Sequence, residues 1–350
     1  MLNGKVMSGD IEVARVTNDR IEITNDQFAP LYFRKYSDIK EWLLSRAVDS
    51  QRHHPRLIKQ ILHLASDDEI GTVLAVNAAS VTDNYWFCPD GETLIWDKIK
   101  FKENSFDRLA LSGKADSLSF HSSRTPELTN IGSYEKCWKM IDGKWWMYKN
   151  GNDNEIFSEL FICYLGKTLG FPMAHYEYAD GYIRTKDFTN GAEVNFESAE
   201  SIVGDDEDYR LNFNVLMNFS QEIAKDYLRL IYLDTVCMNM DRHTKNYGLL
   251  RDTTTGRILS LAPNYDNNIA LISRGYPKNT ERNNDILIDL FRNLIGSNTQ
   301  AAEMFRQIPI PYITKQMIDD CINAVPIEVD REKIKALILN GQARISECIR

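Results

Sequence analysis

Asp241, Asn246 and Asp266 are the residues of this chain whose types and spacing best suit joint chemistry. They stand in Asn239-Met-Asp241-Arg-His243-Thr-Lys-Asn246 and, twenty residues on, in Leu261-Ala-Pro-Asn-Tyr-Asp266. An Asp, an Asn five positions later, a short hairpin and a second Asp form a layout suited to phosphoryl transfer. One carboxylate orients an acceptor hydroxyl and takes its proton, while an amide oxygen and the second carboxylate hold Mg²⁺ against the phosphates of ATP. Asp241 is the candidate base. Asn246 and Asp266 are the candidate metal ligands, both supplying the hard oxygens that Mg²⁺ prefers. Asp and Asn are common in loops, and Asp241 alone would read as a cap ending a helix. A cap, however, does not require an amide five residues later. His243 reads as a hydrogen-bonded prop of the loop rather than a proton carrier.

A lysine that grips the α- and β-phosphates belongs with such a centre. Lys149 ends a strand among Trp145, Trp146 and Tyr148. The plainer alternative is a lysine that lays its stem on apolar rings and reaches water. Glu159, in the following helix, is its natural ion-pair partner, with Glu155 one turn earlier as the competitor. Upstream, Thr129-Asn-Ile-Gly132-Ser-Tyr-Glu-Lys136 lies where a phosphate-covering loop belongs. A single glycine makes it a poor Gly-rich motif. Its backbone N–H groups and the hydroxyls of Thr129 and Ser133 nonetheless suit phosphate contacts, and an ordinary turn is the other reading.

The elements that must position these residues follow from hydrophobic periodicity and turn chemistry. Ser220 to Met240 reads as a helix ending directly at the Asp241 motif. Tyr247-Gly-Leu-Leu and Ile258-Leu-Ser-Leu pair across Thr255-Gly256 to deliver Asp266. Lys136–Met140 and Lys144–Lys149 face each other across Asp142-Gly143, a type I′ hairpin signal. A broad apolar stripe from Asn154 to Leu169 predicts a helix stopped by Gly170 and Pro172. A second hairpin turns at Asp180-Gly181. Residues 187–218 are polar and read as a loop, and the acids Asp205 to Asp208 as its solvated face rather than a cation site. Helices are predicted near 284–296, 313–323 and 330–348. In residues 1–120, a hairpin turns at Asn18-Asp19, and helices start near Asp38 and Pro55. The polar stretch Ser117–Thr125 reads as a connection, giving a mixed α/β subdomain over 1–120, an N-lobe over 121–190 and a helical C-lobe over 191–350.

Composition bounds the rest. With 350 residues, 43% of them hydrophobic, the chain has the makeup of an ordinary globular protein. A net charge of −9 argues against a sequence-independent grip on nucleic acid, which relies on Lys and Arg neutralising phosphates. The six cysteines form no CxxC pair, which fits a reducing cytoplasm. No signal peptide is expected, and no run approaches the eighteen apolar residues of a membrane span.

Residues 120–350 resemble the HipA family of bacterial serine/threonine kinases, the toxin component of HipBA-type toxin–antitoxin modules. The resemblance rests on Asn239-x-Asp241-x-His243-x-Lys-Asn246, on Leu261-Ala-Pro-x-Tyr-Asp266 and on Thr129-x-x-Gly132-x-x-x-Lys136. It implies an α+β, two-lobed protein-kinase-like fold. It also implies ATP and Mg²⁺ as cofactors, a protein substrate phosphorylated on Ser or Thr, and a small helix-turn-helix antitoxin as partner; the acidic charge and the lack of a basic helix argue against direct nucleic-acid or membrane contact. The family's autophosphorylated serine matches Thr129 here, with Ser133 nearby. Two alternatives stay open: a lipid-type or small-molecule kinase using the same Asp-Arg-His-x-x-Asn string, and a pseudokinase that binds nucleotide as a regulatory partner.

Overall fold

Asn18 and Asp19 both take positive φ, 51° and 68°, and so close the hairpin between strands Ile11–Thr17 and Arg20–Ile23. Asn and Asp tolerate this region because their short polar side chains bond locally. Asp19 Oδ1 accepts the Leu2 N–H at 2.6 Å. Two further strands complete an antiparallel sheet in the order Arg20–Ile23, Ile11–Thr17, Gly4–Ser8, Tyr85–Pro89. Val6, Val13, Val16, Phe33, Trp42, Leu43 and Phe87 form the core beside it.

The computed structural model describes residues 1–49, 52–114, 123–273, 275 and 277–349. Of the predicted connection Ser117–Thr125, positions 117–122 lie outside the described residues. The chain divides into two compact units, the first comprising residues 1–150, 184–197 and 250–259, the second 151–183, 198–249 and 260–350.

In the first unit the predicted I′ hairpin forms as expected. Strands Lys136–Ile141 and Lys144–Lys149 pair from Lys136↔Lys149 to Ile141↔Lys144, with Asp142 and Gly143 at φ 48° and 72°. Trp138 and Trp145 bury their rings against Val81.

In the second unit the helix Asp153–Thr168 begins with a capping box. Asn152 Oδ1 accepts from the N–H groups of Asn154 and Glu155, and Glu155 returns a bond to Asn152 N. The helix Gln221–Cys237 carries twelve buried side chains, Asp234 and Thr235 among them. Helices Ile286–Ser297, Lys315–Asn323 and Arg331–Ile349 match the three predicted near the C-terminus. A fourth, Thr299–Gln307, was not predicted, and its Phe305 joins Tyr232 and Phe291 in an aromatic cluster.

The polar stretch 187–218 is not simply a loop. It contains the strand Val194–Ser198 and the helix Tyr209–Met217, whose Tyr209, Phe213 and Leu216 are buried. Asp208 caps that helix by accepting the Leu211 N–H at 2.8 Å, so one member of the exposed acidic run serves a helix start. All six cysteines are free, five of them buried. Among the described residues, no helix is long and apolar enough to cross a membrane.

Candidate active site

The helix Gln221–Cys237 starts on Ser220, whose hydroxyl accepts the Ile223 N–H at 3.1 Å, and ends on Met238 at φ 56°. A left-handed residue at that place turns the chain sharply out of the helix. Asn239 then folds back, its N–H bonding the Asp234 carbonyl at 2.9 Å and its Nδ2 bonding Asp234 Oδ1 at 2.9 Å. Asn239 Oδ1 accepts the Asp241 N–H at 3.1 Å, which fixes the backbone of the half-buried candidate base.

Asn246 closes the loop. Its Nδ2 donates to the Asp241 carbonyl at 3.0 Å, and its N–H to the His243 carbonyl at 2.9 Å. With the amide nitrogen engaged on the backbone, Oδ1 is the atom left to face a cation. His243 is half-buried, and its Nδ1 accepts the Lys245 N–H at 3.3 Å.

Arg242 ties the pieces together, and the sequence reading assigned it no role. Its Nη1 donates to the carbonyls of Asn246 at 2.5 Å and Tyr265 at 2.7 Å. Its Nη2 reaches Asn264 Oδ1 at 3.0 Å and Asn267 Oδ1 at 2.8 Å, and its Nε binds Asp234 Oδ2 at 2.8 Å. One guanidinium therefore holds the loop of Asn246 and the residue before Asp266 at once. Burial alone would push its pKa down; the Asp234 carboxylate overrides burial and holds it above the usual arginine range. Arg242 and Asp234 are both almost wholly removed from solvent, where a pair persists only if its remaining donors and acceptors are satisfied. The surrounding amides and carbonyls satisfy them.

Asp266 arrives on the hairpin of strands Gly248–Asp252 and Ile258–Leu261. The Ala262 N–H bonds the Gly248 carbonyl at 2.8 Å at the open end of that hairpin. Asp266 sits at φ 60°, and its N–H donates to the Tyr176 hydroxyl at 3.1 Å. Burial, then the nearby Glu159 and Asp266 carboxylates, push the Tyr176 pKa well up, so its phenol keeps its proton. Glu159 is fully buried, and its Oε1 accepts from Asn267 N at 2.8 Å and Nδ2 at 3.3 Å. Glu159 thus anchors the residue next to Asp266, whereas Glu155 serves the helix cap. Asp234, Asn264 and Asn267 escaped the sequence reading, and Asn239 entered it only as a motif position with no role assigned. Only the density of Asn around the two Asp motifs hinted at them.

The remaining predicted residues belong to the first unit. Thr129 ends the 3-10 turn Pro126–Thr129 and is buried, its hydroxyl donating to the Ala79 carbonyl at 2.6 Å. Gly132 takes φ 108°, and a Cβ there would meet Lys136 Nζ at 2.5 Å, so the missing side chain lets an ammonium lie over the loop. Ser133 is exposed. Lys149 is half-buried at the end of its strand, its Nζ 4.6 Å from the centre of the Tyr134 ring.

Among the described residues no group of three or more His, Cys, Asp or Glu side chains stands ready to hold a metal. One carboxylate and one carboxamide suit Mg²⁺ in the form it takes with nucleotides, where one or two protein oxygens are completed by phosphates and water. The donor set fits.

None of the curated proteins matches the chain. The family model described as the HipA-like C-terminal domain matches residues 128–326. Among solved structures, the chain is similar to the HipA of Shewanella oneidensis MR-1 from a complex of HipA, HipB and their operator DNA. The two are 13% identical with a TM-score of 0.60, over 99% of this chain and 96% of that one. It also matches the Helicobacter pylori proinflammatory kinase CtkA at 18% identity and a TM-score of 0.48, over 61% of this chain and 91% of the other. The Shewanella match shows the fold: α+β and HipA-like, as the sequence implied.

Proposed function

The chain belongs to the HipA-like C-terminal domain family, and from that membership we propose that it is a Mg·ATP-dependent protein kinase acting on serine or threonine. The observation that carries the reading is the Arg242 guanidinium, which binds the carbonyls of Asn246 and Tyr265 through one nitrogen. The backbones of Asn246 and Tyr265, far apart in sequence, are thereby tied to one side chain, which supports assigning Asn246 and Asp266 to one metal. Bound Mg·ATP would supply the phosphoryl group and the neutralising charge. Asp241 orients the acceptor hydroxyl and receives its proton as the oxygen takes the γ-phosphoryl group and the bond to ADP breaks. Asn246 Oδ1 and the Asp266 carboxylate would hold the metal. Lys149 and the loop Thr129–Lys136 bind phosphate oxygens.

Self-modification in that loop belongs to the proposal. Ser133 is the accessible hydroxyl, while Thr129 must first leave the carbonyls of Ala79 and Pro126 to accept phosphate. A cytoplasmic setting and a small DNA-binding partner, by analogy with the HipB in the Shewanella complex, complete the reading.

The test incubates the protein with Mg·ATP, alone, with a mixture of Ser/Thr-rich peptides, and with phosphoinositide vesicles, and maps phosphate by mass spectrometry. Phosphate on protein or peptide Ser/Thr is the expected result. Phosphate on lipid only, or nucleotide bound without any turnover, would replace this reading with one of its rivals.

A further inference from the structure

The segment from Thr129 to Lys136 is fastened to the first unit by buried charges that no role yet described accounts for. Arg52 is 1% exposed, and it directs its guanidinium to the two ends of the segment. Nη1 donates to the Asn130 carbonyl at 2.8 Å and Nη2 to the Lys136 carbonyl at 2.7 Å. Glu127, just upstream and fully buried, collects three donors. Its Oε1 accepts the Trp138 N–H at 2.7 Å and Asn104 Nδ2 at 2.7 Å, and its Oε2 accepts Asn130 Nδ2 at 2.8 Å. A third fastening comes from within the loop. Glu135 Oε1 accepts the N–H groups of His53 at 2.7 Å and His54 at 3.3 Å, at the start of the helix His54–Ile61.

These bonds fix more than position. A planar trans peptide points its C=O and N–H in opposite directions. Holding the Asn130 carbonyl on Arg52 therefore turns the Ile131 N–H away from the guanidinium, and Ile131 itself is 48% exposed. Drawing the Asn130 and Lys136 carbonyls onto one side chain pinches the segment into a loop, with Gly132 and Ser133 at its tip. A planar fork with donors on both Nη atoms does this; a single ammonium has no such geometry.

We propose that Arg52, with Glu127 and Glu135, forms a clamp that presets the Thr129–Lys136 loop for the phosphates of a nucleotide, making Arg52 a positioning residue of nucleotide binding. This assigns a task to the helical part of the first 120 residues: it shapes the loop from behind. The proposal rests on the nucleotide reading given above.

Arg52→Gln and Arg52→Lys, with Glu135→Gln as a milder variant at a partly exposed site, test it by two measurements on the full chain. The first is hydrogen exchange of peptides covering 129–137; the second is affinity for Mg·ATP compared with adenosine. Arg52→Gln should speed exchange in 129–137 and weaken Mg·ATP about tenfold, the loss of one to two phosphate contacts, while adenosine affinity stays level. Arg52→Lys should recover part of the loss, and Glu135→Gln should shift both readouts in the same direction by a smaller factor. A general structural defect would lower both ligands together, and that result overturns the proposal. So does unchanged loop exchange with unchanged Mg·ATP affinity in the folded variants. If the unmodified protein binds adenosine but gains nothing from the phosphates, the clamp fails while the nucleotide reading stands. If it binds neither, both fail.

Discussion

Arg52, Arg242, Arg251 and Arg282 are among the largest fully or nearly fully buried side chains, and each directs donors to backbone carbonyls. Arg251 binds the Ala29 carbonyl at 2.6 Å and Glu197 at 2.9 Å; Arg282 binds the carbonyls of Thr235 at 2.6 Å and Val236 at 2.9 Å, near the end of the helix before Asp241. Five donors in a rigid fork suit this task, because several irregular carbonyls can be satisfied at once without a strand or helix. Glu127, beside Arg52, feels the reverse pressure. Burial pushes the Glu127 pKa up to about 7 from 4.5, against the opposing pull of Arg52 and of its hydrogen-bond donors. A carboxyl raised on folding favours the folded state while it is protonated. Its contribution is complete below 4.5 and is lost as pH rises through about 7. Stability of the protein measured against Glu127→Gln should therefore fall between pH 5 and 8, by at most about 1.4 kcal/mol per pH unit. Parallel denaturation curves across that range would show that Glu127 does not titrate there.

At the scale of elements, the helix Gln221–Cys237 and the hairpin to Asp266 were legible because their signals are local. Apolar residues recur at helical spacing up to Val236, and Thr255-Gly256 marks the turn. The strands Gly4–Ser8 and Tyr85–Pro89 were not legible, since neither alternates cleanly and their pairing joins segments some eighty residues apart. Residues 187–218 misled for another reason. The run Asp205 to Asp208 reads as a solvated loop, but Asp208 is a cap, and the apolar set behind it spans only two turns. The site shows the same division. Asp241, Asn246 and Asp266 stood out by spacing, while Arg242 and Asp234 did not, because a buried pair has no signature along the chain. Arg242 joins the helix end, the Asp241 loop and the Asp266 loop. Arg242→Leu leaves the Asp234 charge buried without its partner and frees the carbonyls of Asn246 and Tyr265. The expected loss is about 3–5 kcal/mol in denaturant unfolding. A cost below about 1 kcal/mol would mean that the loops are held by something else.

For the whole molecule, each unit by itself carries part of what the proposed activity requires. The second unit holds Asp241, Asn246 and Asp266 in one hydrogen-bonded framework, and the first presents a clamped loop and Lys149. Net charge of −9 leaves the chain ill-suited to a general grip on polyanions, so under the proposed function the phosphates of a nucleotide would be met by local cations such as Lys136 and Lys149. The direct test of the central claim is transfer of radiolabelled γ-phosphate from Mg·ATP by the unmodified protein, Asp241→Asn and Asp266→Asn, each shown folded by its melting curve. The account predicts incorporation by the unmodified chain and a fall of at least about 100-fold in both variants. Undiminished incorporation by either variant would contradict it.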